Sequence, residues 1–407
     1  MNAARLPPFA VIQSALHKTT EHLAHELHSS GTRAPAWCEF EWTIARAVAT
    51  MQGISSLLAT HLRWRGPAQW QAFLSEQHAL AIRRDDIIEK TLDALESATA
   101  RHDLPCVALK GAALRKLGLY SPGERPMGDI DILIRHEHRP RVSAAMHAIR
   151  YREAYASRRH DVFEREHGPT VHAGEHPDNP LKIEVHTRVA ECLPARQVDI
   201  TSELFPEDMC AGVNPYRDRV ALFRHLLMHA AGNMRANALR QIQLHDIAIL
   251  AALLGPAEWE SLARAPSAPS GVWWSLPPLV LVERYYPGTI PSRVLCEIAR
   301  ECPRVLRTAA RHASLTKVSW SNLRIHAFPG IVWAHSPLEA LRFVASRVWP
   351  ERRAIEELAL VARIQPPTGH LRWYEESHLR RISRWLVSRP PRVQTMLSVC
   401  AALGIDP

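Results

Sequence analysis

The sequence predicts an α+β fold: a small mixed sheet with helices, flanked by helical regions at the N-terminal and C-terminal ends. In the first hundred residues, apolar residues recur at three- and four-residue spacing, for example in 42–58 and 82–95, which is typical of amphipathic helices. Between residues 101 and 200, short apolar runs bounded by turn residues alternate with helical segments. After residue 200 the helical spacing returns, most clearly in 218–231 and 239–254.

We expect four regions along the 407-residue chain, a length that suits two or three domains of roughly 100–200 residues each. An N-terminal helical region covers 1–100, and the mixed core covers 101–200. A helical segment packed on that core covers 201–265, and a mainly helical region covers 266–407. Within the last region, 266–278 is rich in proline and serine and is interpreted as a linker or a domain surface.

Apolar runs and turn residues also predict the order of elements in the mixed core. Strands are expected where a short apolar run is bounded by glycine, proline or asparagine, and helices where the apolar spacing is three or four residues. The predicted strands are 105–109, 129–134, 162–166, 170–173 and 181–189, and the predicted helices are 112–119 and 140–150.

The composition is that of an ordinary globular protein with a basic balance. Hydrophobic residues make up 46% of the chain and charged residues 22%, so sizeable cores are possible. Fifty lysines and arginines against 41 acidic residues give a net charge of +9. This charge favours anionic partners such as nucleotides, nucleic acid or acidic peptides. Because the arginines are scattered, a generally basic protein without such a partner is the alternative.

Cysteine usage and hydropathy indicate where the protein works. The seven cysteines are odd in number and form no CxxC pair, which argues against a disulfide framework and a zinc ribbon. No apolar window reaches the roughly 18 residues of a membrane-spanning helix, and the start of the chain lacks the pattern of a signal peptide. We therefore expect a cytoplasmic protein with reduced thiols and no membrane partner.

The strand predicted at 129–134, with the sequence DIDILI, places two carboxylates on one face. Successive side chains of a strand point to opposite faces, so Asp129 and Asp131 share one face and the three isoleucines share the other. Adjacent carboxylates repel each other unless a cation neutralises them or one takes up a proton. Magnesium suits them, because it prefers oxygen ligands and often bridges substrate phosphates. The alternative is an amphipathic surface strand with two solvated aspartates.

Candidate partners of this pair lie upstream and downstream. Lys110 and Gly111 follow the first strand directly, where a helix begins. A glycine lets a ligand approach the backbone, the first amides of a helix favour a phosphate, and Lys110 would add positive charge. Glu184 and His186 share one face of the last predicted strand, so Glu184 becomes a third carboxylate if that strand pairs beside the aspartates. The alternatives are a turn glycine, a solvated lysine and solvent-facing strand residues.

This arrangement resembles the nucleotidyltransferase superfamily of DNA polymerase β, in which a glycine-rich turn opens a helix, a strand carries two acids and a later strand carries a third. It is more closely similar to a poorly characterised bacterial nucleotidyltransferase family, whose members occur near genes for peptide natural-product and polysaccharide biosynthesis. The resemblance covers about residues 100–255. The segments that carry it are LKGAAL, RPMGDIDILI, IEVHTRV, LFRHLLMHAA and LRQIQLHDIAIL.

The resemblance implies a polymerase β-type core and a set of site residues. Asp129 and Asp131 would bind both metal ions, and Glu184 would bind the ion that activates the acceptor and would help to remove the acceptor's proton. The sequence departs from the superfamily pattern, because a Lys-Gly pair replaces Gly-Ser and the third acid is a glutamate. The residues expected to contact the nucleotide or the acceptor are Lys110, Gly111, Arg125, Gly128 and His186.

We expect a metal-dependent nucleotidyltransferase. It would move a nucleoside monophosphate from an NTP, with ATP as the first candidate, to a hydroxyl or phosphate of a small-molecule, peptide or protein acceptor. Pyrophosphate would be released, and the cofactor would be Mg²⁺, with Mn²⁺ as the alternative ion. Two other functions stay open. One is transfer to RNA, which the basic charge allows but no RNA-binding motif supports, and the other is a catalytically degenerate nucleotide-binding or scaffold module.

Several residues of the C-terminal half are interpreted as packing or pocket-lining residues. His225 and His229 are four residues apart on a helical pattern, a spacing that could supply two ligands of a metal site. No HExxH motif accompanies them, which argues against such a site. His245 and Asp246 lie on the next helical pattern. The tryptophan pair at 273–274 is expected to pack in a core or at a domain contact rather than to stack on a base.

Overall fold

The computed structural model describes residues 6–156, 160–165, 174–194, 196–264, 271–324, 326–352, 355–356 and 377–405. The α-helices are α1 (Phe9–Glu26), α2 (Glu39–Gln52), α3 (Ser55–His61), α4 (Ala68–Arg101), α5 (Lys110–Lys116), α6 (Arg139–Ala148), α7 (Thr201–Leu204), α8 (Arg219–Arg235), α9 (Gln241–Ala251), α10 (Pro256–Arg264), α11 (Leu276–Tyr285), α12 (Ser292–Glu301), α13 (Arg304–Arg311), α14 (Leu315–Val318), α15 (Pro337–Val348), α16 (His378–Ser388) and α17 (Val393–Leu403). The strands are β1 (Pro105–Ala108), β2 (Asp129–Ile134), β3 (Tyr151–Ala156), β4 (His160–Arg165), β5 (Lys182–His186), β6 (Ala190–Cys192), β7 (Gln197–Asp199) and β8 (Gly212–Asn214).

Six strands form a mixed sheet in the order β3-β4-β5-β2-β1-β8. The central strand β2 pairs in parallel with β5 and antiparallel with β1. On the outer sides, β3, β4 and β5 pair antiparallel, and β8 joins β1 in parallel. Strands β6 and β7 form a separate two-stranded ribbon. A small mixed sheet with many helices is therefore the observed architecture, as the sequence predicts.

One face of the sheet is buried under helices α4 and α6. Ile130, Ile132 and Ile134 are completely buried there, as the alternation in β2 predicts. Ile88 of α4 and Met146 of α6 belong to the same apolar cluster. The opposite face of β2 is therefore the one that carries the aspartates.

A second and larger core joins distant parts of the chain. Its buried residues run from Ile12 in α1 to Val399 in α17. Helix α2 packs against α17, and the amide of Leu239 donates a hydrogen bond of 3.1 Å to the carbonyl of Val318. The N-terminal and C-terminal helices thus share one apolar interior, while the division of the chain into domains stays a prediction.

Local sequence signals set several helix ends. Asp218 caps α8, because its side chain accepts a hydrogen bond from the amide of Ala221. Helix α2 ends at Gly53, which has a φ of +67° and closes the last turn in the left-handed conformation. Helix α5 begins at Lys110, two residues earlier than the apolar spacing predicts.

The proline- and serine-rich stretch differs from its interpretation as a linker or surface. Residues 265–270 lie outside the described residues. The rest is interior, since Val272, Trp273 and Trp274 are almost completely buried and Leu276 begins helix α11. The apolar side chains of this stretch pack in the core despite the prolines beside them. The prolines in the first turn of α11 are compatible with the start of a helix. Packing of the tryptophan pair in a core is confirmed.

The predicted strand 170–173 also lies outside the described residues. Strand β3 and the three-residue strands β6, β7 and β8 were not predicted. None of the helices in the described part of the chain combines the length and the apolar character needed to span a bilayer.

Candidate active site

Three carboxylates meet on the open face of the sheet. The parallel pairing of β2 with β5 makes Asp131 and Glu184 direct Cα partners, and Asp129 projects from the same face of β2. Their ligand oxygens all lie within 4.8 Å of one another. Asp131 is buried, Glu184 is half-buried, and Asp129 reaches the solvent at the start of its strand. The third acidic strand thus pairs beside the aspartates, which is the condition under which Glu184 becomes the third carboxylate.

Asp131 is held by two basic side chains. The Nζ atom of Lys110 and the Nε2 atom of His186 each lie 2.9 Å from Asp131 Oδ1. Burial raises the pKa of Asp131, but the charge of Lys110 and the hydrogen bond from His186 outweigh it and hold this pKa well below its usual range. Burial lowers the pKa of Lys110, but the charges of the two aspartates raise it by a larger amount. The lysine therefore stays charged.

The other two carboxylates have raised pKa values. Although part of Asp129 reaches the solvent, desolvation of its carboxylate, followed by the charge of Asp131, raises its pKa. Desolvation and the charges of both aspartates raise the pKa of Glu184 to about 7. Lys110 can neutralise only one of the three carboxylates, so negative charge remains to be balanced by a further cation. An all-oxygen donor set of this kind fits a hard divalent cation such as Mg²⁺.

The absence of a side chain at Gly111 makes room for the guanidinium of Arg125. A Cβ atom at Gly111 would lie 2.2 Å from Nη1 of Arg125, so no larger residue fits there without moving the guanidinium. Arg125 is fixed by Asp246 of α9, to which its Nε and Nη2 donate hydrogen bonds of 2.8 and 2.7 Å. Tyr120 donates a further hydrogen bond of 2.5 Å to Asp246. The sequence predicts that Arg125 reaches the triphosphate or supports the loop before Asp129, but the anchor of Arg125 on α9 was not predicted.

Arg84 of α4 connects the two loops that lead into the acidic strands. It is only 4% exposed. Its guanidinium donates hydrogen bonds of 2.8–3.1 Å to four backbone carbonyls, those of Met127, His176, Asn179 and Pro180. The first carbonyl lies just before β2 and the other three just before β5. Arg84 therefore fixes the starts of both strands that carry the carboxylates.

Helix α8 and Tyr216 form the wall opposite the sheet. The Tyr216 hydroxyl accepts a hydrogen bond of 3.1 Å from the amide of Lys110 and lies 2.8 Å from His225 Nδ1. His229 lies 3.1 Å from the side-chain amide of Asn233. Burial lowers the pKa of His225 well below its usual value and that of His229 to about 3, so both imidazoles are neutral. Their interpretation as pocket-lining residues is confirmed.

Two cavities meet at Lys110 and His229. The smaller, of about 260 Å³, lies on the aspartate side, and the larger, of about 630 Å³, lies on the Glu184 side. Of the predicted site residues, the smaller cavity is lined by Lys110, Gly111, Arg125, Gly128, Asp129 and Asp131, and the larger by Lys110, Glu184 and His186. The structure thus brings every predicted site residue to one of two adjoining spaces.

Several lining residues were not predicted, among them Arg240, Trp320 and His160. Arg240 is half-buried and lines the smaller cavity with Trp320, its guanidinium 5.8 Å from the indole ring. Trp320 comes from the C-terminal third of the chain, where the sequence shows no motif. His160 lies in the larger cavity and pairs across strands with His186. Its place at the start of a short alternating strand was the one sequence signal that could have identified it.

Comparison with known families gives a match. A family model described as "Uncharacterised nucleotidyltransferase" matches residues 39–267, more than half of the chain. This range contains all three carboxylates, Arg84, Arg125 and the residues of α8 and α9. No curated protein and no solved structure matches the chain.

Proposed function

Since the chain belongs to this family of uncharacterised nucleotidyltransferases, we propose that it transfers the nucleoside monophosphate of an NTP to a hydroxyl or phosphate of a small-molecule, peptide or protein acceptor. ATP is the first candidate among the NTPs. The acceptor oxygen forms a bond to the α-phosphorus, the bond to the β-phosphate oxygen breaks, and pyrophosphate leaves. The observation that carries the proposal is the convergence of Asp129, Asp131 and Glu184 on one face of two paired strands.

The carboxylates supply the ligands for the proposed cofactor. Mg²⁺ held by them, or Mn²⁺ in its place, would neutralise the α-phosphate and the departing pyrophosphate. Asp129 and Asp131, which line the smaller cavity, would serve both metal positions, and Glu184, which lines the larger one, would serve only the acceptor side. Lys110 meanwhile keeps Asp131 ionised, so that this carboxylate is ready as a ligand near neutral pH.

The smaller cavity suits the triphosphate. Arg125, Arg240 and Lys110 bring three positive charges to a space that also borders Asp129 and Asp131. Because Asp246 holds Arg125 through two hydrogen bonds, this guanidinium is already oriented before a ligand arrives. Arginine can then contact phosphate oxygens with its remaining donors.

The larger cavity suits the acceptor. Glu184 faces it, and a pKa of about 7 makes this carboxylate a proton acceptor near neutral pH. Its proposed role is to take the proton of the acceptor hydroxyl as that oxygen attacks. His186, which shares the face of β5 with Glu184, would orient the acceptor or Glu184 itself.

Calorimetry tests the proposal without knowledge of the acceptor. The experiment measures binding of a non-hydrolysable ATP analogue, with and without Mg²⁺, and then of the analogues of the other nucleotides. We expect Mg²⁺-dependent binding by the wild type and its loss in the Asp129→Asn/Asp131→Asn variant. The matched control is Asp86→Asn/Asp208→Asn, which removes two exposed carboxylates elsewhere and should bind as the wild type does. Absence of binding by the wild type for every nucleotide would overturn the proposal.

A further inference from the structure

Two histidines converge on Glu184 from the side away from Asp129. His160 begins β4 and His186 ends β5, and the antiparallel pairing makes them direct Cα partners. Their rings lie 4.9 Å apart, centroid to centroid. The Nε2 atoms of His160 and His186 lie 3.5 and 3.7 Å from the same oxygen, Oε2 of Glu184. Ligand atoms of these three side chains lie within 4.8 Å of one another.

These separations match the spacing of ligands around a small metal ion. Metal–ligand bonds of about 2.1 Å at tetrahedral angles place neighbouring ligand atoms about 3.4 Å apart. Both distances to Glu184 are within about 0.3 Å of that value. An ion could therefore bind with small rotations of the side chains and without movement of the strands.

The donor set differs from that of the three carboxylates. Two imidazole nitrogens and one carboxylate oxygen suit Zn²⁺ and related transition-metal ions, whereas Mg²⁺ prefers oxygen alone. Sites with two histidines and one glutamate leave a coordination position for water or substrate. All three side chains line the larger cavity, so an open position would face that space.

We propose that His160, Glu184 and His186 form a second metal site, which binds a zinc-class divalent ion and leaves one position open to the larger cavity. Glu184 is the only side chain that this site shares with the carboxylate cluster. His186 now donates its Nε2 proton to Asp131. On metal binding the ring would carry its proton on Nδ1 instead, and Asp131 would keep its ion pair with Lys110. The inference rests on the proposed function only in that the open position would face the acceptor.

Absorption of Co²⁺ tests the site directly, because four-coordinate Co²⁺ absorbs strongly in the visible range and replaces Zn²⁺ at such sites. The experiment uses the full chain freed of any affinity tag. We expect the wild type to bind one Co²⁺ with this absorption, one equivalent of Zn²⁺ to abolish it, and excess Mg²⁺ to leave it. Loss of a ligand in His160→Gln or His186→Asn should weaken Co²⁺ binding more than about 100-fold, beyond the effect of losing a residue that merely supports a ligand.

Three further variants separate this site from other metal sites. His136→Gln removes an exposed histidine and should leave Co²⁺ binding unchanged. Asp129→Asn should keep Co²⁺ binding and lose Mg²⁺-dependent nucleotide binding. His160→Gln should lose Co²⁺ binding and keep Mg²⁺-dependent nucleotide binding. Thermal unfolding without metal checks that each variant is folded.

Absence of the absorption in the wild type, or its persistence in both histidine variants, would overturn the second site. Loss of the absorption in Asp129→Asn would also overturn the second site, because the ion would then be bound by the aspartates. Failure of nucleotide binding with Co²⁺ binding intact would instead overturn only the proposed function.

Discussion

At the residue scale, the chemistry of the site depends on how charge is divided between Asp131 and Glu184. They are neighbours across two strands, yet the pKa of Asp131 is held low and that of Glu184 is raised to about 7. Lys110 and His186 lie 2.9 Å from Asp131 and lower its pKa, whereas desolvation and the charges of the two aspartates raise the pKa of Glu184. One acid is thus suited to remain an anionic ligand, and the other to exchange a proton near neutral pH.

Replacing Glu184 with glutamine should separate nucleotide binding from turnover. Glutamine keeps the shape of the side chain but cannot accept the proton. We expect the Mg²⁺-dependent affinity for the ATP analogue to stay within about threefold, while pyrophosphate release with an acceptor falls by about 100-fold or more. Calorimetry and a pyrophosphate assay measure the two effects, and Glu137→Gln, at an exposed position, is the control. Wild-type turnover would exclude Glu184 as the proton acceptor.

The carboxylates could be predicted from the sequence, and their anchors could not. A strand has a period of two residues, so DIDILI and LKIEVHTRV fix which side chains share a face. The pair between Arg125 and Asp246 joins residues 121 positions apart. Trp320 likewise reaches the site through tertiary packing. No local pattern carries such contacts, because they depend on how whole elements pack.

At the scale of elements, the site depends on the relative position of β2 and β5. Backbone pairing fixes their register, and Arg84 of α4 binds the loops before both strands. The sequence predicts β1 and β2 because each is a short apolar run beside turn residues. It does not predict β3, where exposed residues fall on both faces, nor the three-residue strands β6 to β8, which are too short to show alternation.

Replacing Arg84 should disturb both acidic strands at once. In Arg84→Met the carbonyls of the two loops lose their donors, so we expect the free energy of unfolding to fall by at least about 2 kcal/mol. Arg84→Lys, which can satisfy some of these carbonyls, should lose less. Mg²⁺-dependent nucleotide binding should weaken in the same order. Denaturant unfolding and calorimetry measure these effects, and Arg83→Met, at the adjacent exposed position, should behave as the wild type. Equal stability of Arg84→Met and wild type would contradict the role of this residue.

At the scale of the whole molecule, buried polar contacts join helix α2 to the segment after α14 and to the start of α9. The side chain of Gln52 in α2 donates hydrogen bonds of 3.1 and 2.9 Å to Ser319 and Ser321, and its oxygen accepts one of 2.8 Å from the amide of Gln241. Buried polar groups are costly unless they are paired, so these contacts favour one packing arrangement. Helix α2 and the segment after α14 therefore help to position α9, and through its Asp246 also Arg125.

The buried histidines should make global stability fall in acid. Burial lowers the pKa of His245 to about 4, whereas an unfolded histidine has a pKa of about 6.5. The unfolded chain therefore takes up a proton first, so stability is fully present above pH 6.5 and is lost as the pH falls towards 4. His245 alone should contribute about 2 kcal/mol of this loss between pH 7 and pH 5.

Denaturant unfolding at the two pH values measures this contribution. His245→Gln should lose less stability on acidification than the wild type, and the exposed-site variant His136→Gln should lose the same amount as the wild type. An identical pH dependence for His245→Gln and the wild type would show that this histidine is not held neutral by folding.

The wall that Trp320 gives to the smaller cavity bears on how the protein can be shortened. The family match ends at residue 267, but Trp320 lies beyond it and still borders the space proposed for the triphosphate. An expression boundary drawn at the end of the match would remove this wall, the partner of the Leu239 amide and more than a quarter of the buried residues of the shared core. Truncated versions for crystallisation or screening should therefore keep the chain to at least Leu403, the end of α17.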